Sequence, residues 1–75
     1  MANRHLESAG KAVRVNGEVR PTTAATLDEL LIQLGYVETA VATAVNEEFV
    51  PRQTRSQVQL QDEDRIEIVA ARQGG

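Results

Sequence analysis

The group with the most evident chemistry in this chain is its terminal carboxylate, carried by Gly75 behind Gly74. Glycine has no Cβ, so a Gly-Gly end can enter a narrow channel and take backbone angles closed to other residues. Extended, Arg72 to Gly75 would reach about 13 Å at about 3.3 Å per residue. A partner enzyme could therefore receive Gly75, Gly74, Gln73 and Arg72 in its own active site while the folded body stays outside. Other constellations fail. Ser8 and Ser56 have only His5 as a possible base, and His5 falls in a polar N-terminal stretch, which makes a Ser-His device improbable. The Asp62-Glu63-Asp64 run lacks the glycine and the length of a calcium loop. No glycine-rich phosphate loop follows a strand. With no cysteine, disulfides, Cys-based zinc sites and thiol catalysis are excluded. The sequence is not that of an enzyme acting alone, and no metal or bound cofactor is expected.

At neutral pH a terminal carboxylate is an anion, with an ordinary pKa of about 3.3–3.7, and a poor electrophile. Attachment to the α-phosphate of ATP would activate it as an acyl-adenylate with AMP as leaving group. Displacement by a sulfur donor leaves a thiocarboxylate, and displacement by an amine leaves an isopeptide bond. An unbranched glycine carbonyl suits both.

Seventy-five residues allow one small domain. The net charge of −3 and the single Tyr and Phe provide neither the basic stripe nor the aromatic platform of a nucleic-acid binder. No apolar run approaches the ~20 residues of a membrane span, and Met1 to Gly10 has no apolar signal-peptide core. A cytoplasmic protein with no nucleic-acid or membrane partner is the expectation. The acidic groups at Glu47-Glu48 and Asp62-Glu63-Asp64 read as solvated turns, with a basic partner surface as the alternative.

Residues 1–10 show no hydrophobic period and read as a flexible extension. An ordered domain is expected over 11–71, and an exposed tail over 72–75. Val13 and Val15 alternate with polar or small neighbours, as in a half-buried strand. Asn16-Gly17 follows and favours a tight hairpin. A three-residue loop, Asn16 to Glu18, would pair Val15 with Val19 and keep one apolar face, so it is preferred here to the two-residue loop. Thr26 and Glu29 have capping-box spacing. Leu27, Leu30, Leu31 and Leu34 then form one apolar helical stripe, ended by Gly35. Val41 to Val45 reads as a strand, Asn46-Glu47-Glu48 as a turn, and Phe49-Val50 as a short strand stopped by Pro51. Arg52 to Gln57 is polar and irregular, with room for one helical turn. Val58 and Leu60 return to the core. Arg65 to Ala71 is the last strand, with Ile66, Ile68 and Ala70 on one face. Val69 on the other face suggests a strand in mid-sheet, and marks a candidate partner contact near the tail. The sum is an α+β fold, a sheet packed on one main helix.

This order and the Gly-Gly end resemble the ubiquitin-like β-grasp proteins, and among them the ThiS family of sulfur carriers. The resemblance covers about residues 11–75. It rests on Val15-Asn16-Gly17-Glu18, on Thr26 to Leu31, on Ala44-Val45-Asn46-Glu47-Glu48-Phe49-Val50-Pro51-Arg52, and on Asp62 to Val69. The family's A-[IV]-N-x-x-[IVF]-V-P-R and D-G-D-x-I-E-I-V patterns are similar to the last two. Glu63 replaces a glycine of the second pattern, and Gln73 stands where many members have a third glycine. The resemblance implies a β-grasp fold with a mobile C-terminal tail. It also implies a ThiF-type adenylating partner using ATP and magnesium on Gly75, a sulfur donor protein, and a ThiG-type thiazole synthase that takes the sulfur for thiamin. Three alternatives share parts of the pattern: the small subunit of molybdopterin synthase, a lysine-conjugated modifier, and a β-grasp interaction module.

Overall fold

The computed structural model describes residues 10–36 and 40–70. In chain order they form β1 (Lys11–Val15), β2 (Glu18–Thr22), α1 (Leu27–Gln33), β3 (Val41–Val45), β4 (Glu48–Val50), a 3-10 helix (Arg52–Gln57) and β5 (Arg65–Ala70). The five strands make one mixed sheet in the order β2-β1-β5-β3-β4. β5 is central, parallel to β1 and antiparallel to β3. One face of this sheet packs on α1. The expected α+β architecture, with the last strand in mid-sheet, is the one observed.

The helix forms for the reasons its sequence carries. Thr26 is extended and its Oγ1 accepts the Glu29 N–H at 3.2 Å. The reciprocal half of the capping box is shifted by one residue: the Glu29 carboxylate accepts the N–H of Ala25 at 2.8 Å, one step before the cap. Asp28 and Glu29 lie in the first turn, where the helix dipole favours negative charge. At the other end Gly35 has φ 94°. Its N–H donates to Ile32 O, and the Tyr36 N–H to Leu31 O, the two bonds of a Schellman ending.

Leu27, Leu30 and Leu31 are buried together with Val13, Val15, Ala24, Val50, Leu60, Ile66 and Ile68. Leu34 packs at the margin of this core. Ala70 follows Ile66 and Ile68 on β5 but is exposed, so the apolar row stops at Ile68.

The first hairpin differs from expectation. Val15 pairs with Glu18 and Arg14 with Val19, so the loop is the two residues Asn16 and Gly17, not three. Both have positive φ, 51° and 89°, as a type I′ turn requires, and that turn matches strand twist. The cost is that Val19 lies on the outer face, 58% exposed. The tight loop also lets Asn16 reach β5. Its Nδ2 donates to Ile68 O at 3.0 Å and its Oδ1 accepts the Ile68 N–H at 2.9 Å. The second hairpin uses the same device. Asn46 and Glu47, at φ 51° and 75°, form a two-residue turn, and Glu48 already belongs to β4. Asn46 Oδ1 accepts the Arg65 N–H at 2.9 Å, and the Asn46 N–H donates to Arg65 O at 2.7 Å.

The acidic turn before β5 is structural. Asp62 Oδ1 accepts the Ala12 N–H at 2.8 Å, and Asp64 accepts from Asn46 Nδ2 and from the Gln61 N–H. Glu63 has φ 73°, a conformation that a glycine would take without strain.

Adjacent helix positions provide a test. Leu31 is 3% exposed and Ile32 55% exposed. Leu31→Ala should cost about 2–5 kcal/mol of unfolding free energy, as buried leucine truncations do. Ile32→Ala should stay within about 0.5 kcal/mol. Urea denaturation of both variants checks this, and equal losses would mean that the stripe is not the core.

Candidate functional site

The described part of the site is the end of the sheet where β5 stops. Val41 pairs with Ala70, Ala42 with Val69, and Thr43 with Ile68. Residues 71–75, including Arg72, Gln73, Gly74 and Gly75, lie outside the described residues, as do 1–9. The root of the tail is nevertheless well defined. It is the last residue of a central strand, held by β3 on one side. On the other side β1 has already turned at Asn16, whose side-chain amide bonds both backbone groups of Ile68.

Val69 faces away from α1, as alternation along β5 requires, and is 65% exposed. It has company that the sequence reading did not assemble. Directly paired residues share a face, so Ala42 lies beside Val69, and Phe49 beside Ala44. Phe49 is 68% exposed, while its neighbour Val50 is buried and turns to the helix side. The alternation of Phe49 and Val50 was the available signal for this. Glu67 pairs with Ala44 and so stands in the same row as Phe49. Beyond it come the paired Arg14 and Arg65, with Val19 beside Arg14 and Arg65 in an exposed ion pair to Glu47 at 3.6 Å. The outer face is thus apolar at Val69 and Ala42, nearest the tail, and mixed beyond, where Phe49 and Val19 stand among Glu67, Arg14 and Arg65.

One further residue escaped the sequence reading. Arg55, within a run read as polar and irregular, is buried at 8% exposure. Nothing in the spacing of the six-residue segment singles it out, because Arg52 beside Pro51 is exposed. Among the described residues no group of three or more His, Cys, Asp or Glu is placed to hold a metal ion. No described helix is long and apolar enough to cross a membrane.

The chain is similar to known proteins in sequence and in fold. The model of the ThiS family matches residues 13–75. A sulfur carrier protein ThiS of Thermus thermophilus is 40% identical over 63 residues, which cover 84% of this chain and 98% of that protein. A thiazole synthase of Paramagnetospirillum magneticum is 42% identical over 62 residues, 81% of this chain but only 19% of the synthase. The crystal structure of a thiamine biosynthesis protein (ThiS) from Geobacter metallireducens superposes with a TM-score of 0.71 at 25% identity, covering 85% of this chain and 99% of the other. With the family model matching residues 13–75 and a ThiS relative 40% identical over nearly its whole length, the chain belongs to the ThiS family.

Proposed function

We propose that this protein is a sulfur carrier that works through the carboxylate of Gly75. One observation carries the reading. A ThiS-family domain ends in Gly-Gly, directly behind a central strand whose packing ends at Ile68. The core formed by the described residues does not require the tail, and in this reading the tail serves a partner.

The steps follow from the carboxylate's chemistry. A ThiF-type adenylating enzyme binds ATP and magnesium, and a carboxylate oxygen of Gly75 attacks the α-phosphorus. Pyrophosphate leaves, and an acyl-adenylate remains. A persulfide on a sulfur donor protein attacks the carbonyl carbon and AMP leaves. A thiol then attacks the donor-side sulfur of the resulting acyl disulfide, which releases the thiocarboxylate on Gly75 and leaves a disulfide on the donor. A ThiG-type thiazole synthase then accepts the sulfur for the thiazole of thiamin. The carrier contributes no catalytic side chain, only a narrow stalk and a docking face. The kinship with a thiazole synthase that contains a segment like this chain supports that acceptor over a molybdopterin partner.

The docking face in this reading is the apolar ground of Val69, Ala42, Ala44 and Phe49. Ile32 is an equally exposed apolar residue on the helix, away from the tail. Val69→Asp should therefore weaken binding to the adenylating enzyme or to the thiazole synthase, while Ile32→Asp leaves both affinities unchanged. Titration of each folded variant against each enzyme decides this, and equal affinities would remove Val69 from the interface. Deletion of Gly75 should abolish ATP–pyrophosphate exchange by the adenylating enzyme and leave the melting temperature unchanged. Full exchange by the shortened chain would reject Gly75 as the activated residue.

A further inference from the structure

The buried guanidinium of Arg55 has a placement that space-filling does not explain. Its Nε donates to Thr43 Oγ1 at 3.0 Å and its Nη2 to Val41 O at 2.7 Å. Thr43 Oγ1 donates in turn to Val50 O at 2.8 Å. The ion pairs found among the described residues, Arg20–Glu18 and Arg65–Glu47, do not involve it. A buried cation bonded to neutral acceptors is a costly filler, and apolar side chains of similar volume generally serve stability as well or better.

Its location supplies the reason. Antiparallel pairs alternate between those that exchange hydrogen bonds and those that do not. Counting from the Asn46–Arg65 bond, Ala44 with Glu67 and Ala42 with Val69 exchange bonds. Val41 instead points its N–H and C=O away from β5, toward the β4 side. There β4 pairs only with Thr43 to Val45, because Pro51 ends it. The Val41 carbonyl would have no strand to meet, and Arg55 meets it. On the opposite flank Asn16 stands in for a continued β1 at Ile68.

We propose that Arg55 is a positioning residue for the C-terminal carboxylate. It clamps the β3–β5 pair at the point where the tail leaves the sheet, and so fixes the position from which Gly75 is presented. The consequence for chemistry rests on the sulfur-carrier reading, but the clamp does not. A tail rooted in an ordered pair loses less freedom on threading into an enzyme than one rooted in a fraying pair. Once threaded, its chemistry belongs to the enzyme.

Arg55→Met keeps the volume and removes the donors. In native-state hydrogen exchange the amides of Ala42 and Val69 should lose about tenfold protection through local opening, while those of Leu30 and Ile66 stay at wild-type values. In pyrophosphate exchange the KM for the carrier should rise about tenfold with kcat retained, as expected for a loss confined to binding. Arg55→Lys keeps the charge but cannot donate from two nitrogens to Thr43 and Val41, and should fall between. It serves in place of the Met variant if that fails to fold. Unchanged protection at Ala42 and Val69, or an equal loss at Leu30 and Ile66, overturns the clamp. Weakened protection with unaltered KM overturns its role in presentation. Absence of exchange with the wild-type carrier would reject the carrier reading and leave the clamp to be decided by the amides.

Discussion

Everything in this domain depends on β5 being held from both sides. The sheet order β2-β1-β5-β3-β4 means that the two hairpins meet only through the last strand. A lone two-stranded hairpin is marginal in water. Each becomes part of a stable sheet when β5 enters between them and its Ile66 and Ile68 close the core over Leu27, Leu30 and Leu31. The chain reinforces that insertion with the same residue twice. Asn16 and Asn46 occupy the first turn position of the two hairpins at the same φ, and each extends a side-chain amide to the β5 backbone. An asparagine tolerates the left-handed conformation and carries both a donor and an acceptor. It can therefore make the turn and bridge to the neighbouring strand at once.

The same constraint separates stability from function along the chain. Burial ends at Ile68, pairing with β3 continues to Ala70, and Gly75, the reactive residue of the proposal, lies five residues further on in the sequence. The helix side of the sheet is occupied by the core. What remains for a partner is the outer face, where Val69 and Ala42 stand at the tail end and Phe49, Ala44 and Glu67 share the next row. In the sulfur-carrier reading the domain is a handle: it orders the strand that leads to Gly75.

Much of this was legible in the residues. Helix α1 announced both its ends, through Thr26 and Glu29 at one and Gly35 at the other, and the two-faced pattern of Ile66, Ile68 and Val69 pointed to a central strand. The first hairpin misled because keeping the valines of β1 and β2 on one face looked decisive. On an edge strand a turn of ideal twist and the Asn16 bridge outweighed leaving one valine in water. Arg55 was invisible for a different reason. Its burial arises from a missing strand partner for Val41, a fact of three-dimensional register that no local pattern records. The acidic turn was read as solvated charge, yet Asp62 accepts the Ala12 N–H of β1, and Asp64 accepts the Gln61 N–H within the turn and Asn46 Nδ2 of the second hairpin.

The central claim is that this fold exists to carry sulfur on Gly75, and the mass of the intact protein isolated from cells tests it most directly. The account predicts a population in which one oxygen of the C-terminal carboxylate has been exchanged for sulfur, with fragmentation placing the change at Gly75. Protein found only with its carboxylate unaltered under conditions of active thiamin synthesis, or found joined through Gly75 to lysines of other proteins, would contradict it.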